Sequence, residues 1–202
     1  MSNALLKADF TLADFLVWEA EQPERHEFLG GETFAMVGAR RVHGLVCLNL
    51  AASLKASLRG TPCAVFIETM KLRVADDALF YPDVMVTCDP QDLRTESTFT
   101  APTLLAEVLS PSTEGYDRGP KFAQYRRLPS LREFLLISPD TREVLLFRRA
   151  SADDLFTLHD FTGRDALECA SIGCTVPLAE LFEGLAEPGG EGEPGAGEPS
   201  VS

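Results

Sequence analysis

The chain has 202 residues, 45% of them hydrophobic, and a formal net charge of −13. That length and apolar content suit one domain with a sizeable core, and the acidic balance weighs against holding nucleic acid by surface charge alone. No apolar run reaches the length of a bilayer span and "MSNALLKADF" lacks a secretory layout, so a cytoplasmic protein with no membrane partner is expected.

In chain order, "TLADFLVWEAEQ" places Thr11 three residues before Asp14 and sets Leu12, Phe15 and Leu16 on one face, the pattern of a capped helix. "HEFLGGETFAMV" predicts two short strands joined by a glycine turn. "HGLVCLNLAASLKASLRG" repeats apolar residues at Val46, Leu50, Leu54 and Leu58 and stops at Gly60, which predicts an amphipathic helix. "CAVFIE" and "TMKLRVA" read as strands, and "LFYPDVMVTC" as a further one with Pro82 near its entrance.

A polar loop over 89–101 precedes the apolar strand "PTLLAEVLS". A helix is expected over 119–128, with Pro120 in its first turn. "REFLLISPDTREVLLFRR" predicts a hairpin around Pro139 and Asp140. Weaker strands are expected near 155–161 and 166–170, then a short helix in "PLAELFEGL".

The domain is therefore assigned to 1–186. From Glu187, "EPGGEGEPGAGEPSVS" has almost no apolar content to offset ordering entropy, and 187–202 is read as a disordered acidic tail. Five glutamates of 183–202 stand without a basic partner, so the body carries −8 of the −13. "ARR" at 39–41 and "DRGPKFAQYRR" at 117–127 are locally basic. The global charge is a weak negative only. Cys47, Cys63, Cys88, Cys169 and Cys174 show no paired zinc spacing and are expected to be free buried thiols.

Alternation over 104–109 puts Leu104, Ala106 and Val108 on one strand face, and Leu105, Glu107 and Leu109 on the other. A carboxylate in such a run needs a partner, because desolvation is costly. A structural ion pair, with Arg132 or Arg148, is the plain reading. Asp83 begins a second apolar strand after Pro82, where its plain role is a turn aspartate. Together they suggest more: on facing positions of adjacent strands, Asp83 and Glu107 reach one cation, and hard oxygen donors suit Mg²⁺ or Mn²⁺. Asp117, Lys121 and Tyr125 follow at steps of four. A helix over them would lean Lys121 back toward Glu107, where a cation steers phosphate or offsets transition-state charge.

These residues, in "YPDV" and "PTLLAEVLSPSTEGYDRGPKFAQYRRLPSLREFLLISPDTREVLLFRR", together with "HEFLGGE" and His43, resemble a bacterial family. Its members, long catalogued as a domain of unknown function, are termed "putative restriction endonucleases" and fall within the PD-(D/E)XK superfamily. The similarity covers about residues 10–182. It implies an α/β (α+β) restriction-endonuclease-like core, a mixed central sheet flanked by helices, and metal-dependent hydrolysis of phosphodiester bonds. Asp83 and Glu107 match the motif acids, which with the Val108 carbonyl would hold Mg²⁺ or Mn²⁺. The lysine usual two residues after the second acid is Leu109 here, and the resemblance implies that Lys121, on the following helix, substitutes for it.

By the same resemblance Glu27 adds a carboxylate and His43 touches phosphate. Solvent-facing and helix-terminal roles stay open for these two, as does a core role for Tyr125. The expected substrate is nucleic acid, DNA ahead of RNA, and two-strand cleavage leaves a homodimer open. Two readings compete: a non-catalytic nucleic-acid- or protein-binding module that keeps the fold, and a buried structural ion network.

Overall fold

The computed structural model describes residues 10–36, 38 and 40–186; the acidic segment 187–202 lies outside them. Helix α1 (Leu12–Glu19) starts at Thr11, whose hydroxyl accepts from the Asp14 amide at 3.2 Å, while the Asp14 carboxylate accepts from the Thr11 amide at 3.0 Å. This reciprocal pair satisfies two otherwise unpaired N–H groups and sets where the helix begins. Strands β1 (His26–Leu29) and β2 (Glu32–Ala35) pair across Gly30 and Gly31, which hold φ values of 60° and 89°. That left-handed turn favours glycine. Helix α2 (Arg41–Ser57) buries Val46, Cys47, Leu50 and Leu54 along one stripe.

Strands β3 (Ala64–Ile67), β4 (Lys71–Ala75), β5 (Ala78–Phe80), β6 (Val84–Thr87), β7 (Thr98–Phe99) and β8 (Pro102–Val108) follow. A helical run over 114–125 comprises α3 (Glu114–Tyr116), a π-helical turn (Asp117–Lys121) and α4 (Phe122–Tyr125). The predicted hairpin is β9 (Glu133–Ser138) and β10 (Glu143–Arg148), followed by β11 (Thr157–Asp160). A ribbon of β12 (Ala166–Cys169) and β13 (Cys174–Pro177) leads into α5 (Leu178–Leu181).

The central sheet is mixed, with strand order β11-β10-β9-β8-β6-β3 and a parallel β8–β9 pair. One face carries α2, α5 and the β12–β13 ribbon, packed on Val84, Val86, Leu104, Ala106, Val108, Leu135 and Ile137. The other face packs Met85, Leu105, Leu109, Phe134 and Leu136 against the helix of 114–125 and a second, five-stranded sheet, β2-β1-β5-β4-β7. The alternation expected over 104–109 holds, so Glu107 projects toward the second sheet. Flanking helices and mixed sheets are the α+β architecture that the sequence implied.

Three expectations are corrected. "LFYPDVMVTC" is two strands, not one: β5 belongs to the five-stranded sheet and β6 to the central sheet. The chain crosses between them at Tyr81-Pro82-Asp83, where proline's missing N–H breaks neither ladder. The helix expected over 119–128 occupies 114–125, and Pro120 lies inside the π-turn. The wider turn removes the clash that a proline makes in a regular helix. Cys63 and Cys88 form a disulfide, not two free thiols. They flank β3 and β6, whose Ala64–Thr87 pairing brings the two cysteines opposite each other. Cys47, Cys169 and Cys174 are free and buried, as expected.

Candidate active site

Asp83 sits at the crossing between sheets, one residue before β6. The antiparallel register Val84–Ala106, continued by one step, sets Asp83 opposite Glu107. The Val108 amide donates to Asp83 Oδ2 at 2.7 Å, which orients that carboxylate. Val108 thus enters the site through its N–H. Glu107 is 1% exposed, and its partner is neither Arg132 nor Arg148. Arg148 instead pairs with the buried Glu133 at 2.6 Å, and Arg132 donates to backbone carbonyls.

Lys121 is the partner. Its Nζ lies 2.9 Å from Glu27 Oε1, 3.1 Å from Glu107 Oε1 and 3.8 Å from Asp117 Oδ1. The Tyr125 hydroxyl donates to the same Glu107 oxygen at 2.7 Å, and the Tyr81 amide donates to Glu27 at 3.2 Å. The "SPST" turn makes this convergence possible. There the Ser110 carbonyl accepts from the Glu114 amide at 2.9 Å, so the chain reverses from β8 directly into the helix. The expected Asp117, Lys121 and Tyr125 face therefore exists, and it points at Glu107.

These groups are nearly dry: Glu27, Asp117 and Lys121 are each 5–6% exposed. Burial pushes the Glu107 carboxyl well above the usual range, Lys121 opposes that, and Asp83, Asp117 and Glu27 add to it. Burial likewise raises Asp117, against the pull of Lys121. Burial draws Lys121 down, but Glu107, Glu27 and Asp117 outweigh it and hold the ammonium charged. Asp83, Glu107, Glu27 and Asp117 all act on this one ammonium. A buried excess of carboxylates needs protons or a further cation for balance. Oxygen donors from Asp83 and Glu107 fit a hard divalent ion.

His43 joins from α2. Its Nε2 lies 3.4 Å from Asp83 Oδ1 and 3.4 Å from Glu68 Oε1. Burial lowers its basicity, yet the adjoining Asp83, Cys47 and Glu68 side chains outweigh burial and push its pKa up to about 12. Cys47, one helical turn on, is pushed up to about 11 by burial, with His43 pulling the other way. Sequence reasoning passed over Cys47 and Glu68. The i, i+4 spacing of His43 and Cys47 on a predicted helix was a usable signal. Glu68, at the end of "CAVFIE", gave none, because only the β3–β4 turn carries it to Asp83.

Sequence comparison gives the family. The Uma2 family model, described as "Putative restriction endonuclease", matches residues 12–177. This chain belongs to that family. Two Synechocystis proteins are similar to it. "Uncharacterized protein slr1290" is 36% identical over 174 residues, 86% of this chain and 91% of its own length. "Uncharacterized protein sll1609" is 33% identical over 159 residues, 77% and 89% of the two chains. The crystal structure of a "putative nuclease belonging to DUF820" from Anabaena variabilis shares the fold. Its TM-score is 0.69 at 18% identity, covering 85% of this chain and 97% of the other. No helix among the described residues is long and apolar enough to cross a membrane.

Proposed function

We propose that this chain is a divalent-metal-dependent endonuclease that hydrolyses phosphodiester bonds, with DNA preferred over RNA as substrate. The buried excess of carboxylates around Lys121 carries the reading. Asp83, Glu107 and the Val108 carbonyl would hold Mg²⁺ or Mn²⁺, which when bound supplies Lewis acidity toward a phosphate oxygen. Lys121 orients the attacking water and offsets the negative charge that develops on phosphorus oxygens. Tyr125 and Glu27 fix Lys121 and Glu107 in place, so the cluster is organised before substrate arrives.

Family membership supports this reading, as does the description of a similarly folded protein as a nuclease. Two cations flank the Tyr81 ring beside the site, Arg25 at 5.6 Å and Lys71 at 5.9 Å. They offer phosphate contacts despite the acidic total. A second reading rests on Lys121 already bridging Glu27 and Glu107: a structural ion network in a non-catalytic nucleic-acid- or protein-binding module.

Thermal unfolding of wild type and Glu107→Gln, each in EDTA, Mg²⁺ and Mn²⁺, separates them alongside a plasmid-nicking assay. The hydrolase reading expects metal to raise the wild-type midpoint only, and nicking to vanish in the variant. A metal-blind midpoint, with Glu107→Gln strongly destabilised, would sink it in favour of the network.

A further inference from the structure

The geometry points to a second, distinct cation site, formed by His43, Cys47, Glu68 and Asp83, whose donors select a first-row transition ion such as Zn²⁺ over Mg²⁺. It shares Asp83 with the hydrolytic site but uses neither Glu107 nor Lys121, so it does not depend on the chain being a nuclease.

The donor set is the first support. One ligand atom from each of the four side chains lies within 4.8 Å of the other three. Once the ion displaces their protons to solvent, a neutral imidazole and a thiolate beside two carboxylates form a borderline-soft set, which Mg²⁺ binds poorly and zinc-like ions bind well. Four protein donors of this kind suit a tetrahedral ion.

Distances are the second support. His43 Nε2 stands 3.4 Å from both Glu68 Oε1 and Asp83 Oδ1. Charge-assisted N–H···O bonds close to about 2.7–2.9 Å, so these contacts are slack as hydrogen bonds. A tetrahedral site with metal–ligand bonds of about 2.0–2.2 Å has neighbouring N and O donors about 3.3–3.6 Å apart. For His43 with Glu68 and with Asp83, the observed spacing matches that of ligands around an ion.

The backbone is the third support. Glu68 holds φ at 45°, a left-handed conformation that is unusual for a non-glycine residue. Its amide donates to the Pro82 and Asp83 carbonyls at 3.2 and 3.3 Å, and the Arg25 guanidinium donates to its carbonyl. Three bonds thus hold a costly conformation whose result is a carboxylate beside His43 and Asp83. On α2, the partly exposed His43 stands one turn before Cys47, which lies on the buried stripe. Glu68 is the solvent-facing member, its side chain 38% exposed, and leaves the site reachable from water.

The test titrates Co²⁺, a spectroscopic substitute for Zn²⁺, into the full chain and into Cys47→Ser, His43→Gln and Glu107→Gln, with circular dichroism to confirm each fold. Wild type is expected to take up one Co²⁺ with tetrahedral ligand-field bands and a thiolate-to-cobalt charge-transfer band. Cys47→Ser should lose the charge-transfer band, His43→Gln should weaken uptake at least about tenfold, and Glu107→Gln should keep both. If Cys47→Ser does not fold, His43→Gln decides.

No uptake at millimolar Co²⁺, a charge-transfer band that survives Cys47→Ser, or full affinity in His43→Gln would overturn the site. Equal loss in Glu107→Gln would also overturn it, by assigning the ion to the Asp83–Glu107 pair. If nicking proves independent of Glu107 while the cobalt signature follows Cys47, the hydrolase reading fails alone and the transition-ion site stands.

Discussion

Lys121 Nζ lies 3.1 Å from Glu107 Oε1, although Glu107 is on the central β8 and Lys121 is on the helix after it. β8 is buried on both faces and pairs in parallel with β9, so Glu107 has a rigid mount. The π-turn over Asp117–Lys121 adds a residue to the helical circuit and seats Pro120 without breaking the run. Lys121 therefore arrives over Glu107 from further along the chain, beyond the turn after β8.

Removing that ammonium should be costly. In EDTA, Lys121→Met should lose about 3–5 kcal/mol of stability, because Glu27, Glu107 and Asp117 remain buried without their shared cation. Mg²⁺ should restore part of the loss by taking over charge balance, and nicking should fall by about 10²-fold or more. Urea unfolding with and without Mg²⁺ checks this; an unchanged midpoint would contradict it.

Tyr125→Phe removes only a hydroxyl from a ring packed against Phe80 and Phe134. The buried Glu107 loses its 2.7 Å donor, so a destabilisation of about 1–3 kcal/mol is expected. Stability within error of wild type would show that Lys121 alone satisfies the carboxylate.

The Cys63–Cys88 bond spans 25 residues and ties β3 to β6, the strand that leads from Asp83. Alkylation under denaturing, non-reducing conditions should tag only Cys47, Cys169 and Cys174. The double variant Cys63→Ser, Cys88→Ser should unfold about 3 kcal/mol more easily, following loop closure of that length. Five tagged cysteines in the purified protein would refute the pairing.

Cys169 offers a pH test outside the cluster of Glu27, Asp83, Glu107 and Asp117. Burial raises its thiol pKa, with Glu133 adding to the shift. A folded pKa above the unfolded one makes the stabilisation complete below the unfolded thiol value, about 8.5, and lost as pH climbs toward the folded value. Unfolding midpoints measured from pH 8 to 11 should fall, and Cys169→Ala should flatten the decline. An equal slope in both proteins would assign the alkaline loss elsewhere.

Local pattern determined a good deal. The Thr11–Asp14 box, the Gly30-Gly31 turn, the α2 stripe and the β9–β10 hairpin were legible because neighbouring residues decide caps, turns and periodicity. The acids Asp83 and Glu107 stood out because an apolar strand exposes the cost of a carboxylate. Their facing positions followed from alternation once the strands were taken as adjacent.

Other features needed the third dimension. A proline reads locally as a helix start or a strand entrance. Only packing shows Pro120 inside a π-turn and Pro82 at a crossing between two sheets. The Cys63–Cys88 pairing depends on the β3–β6 register, and Glu68 reaches His43 and Asp83 only through a strained turn. Burial, register and side-chain convergence are set by contacts between distant segments, and those contacts decided which of the legible residues form one site.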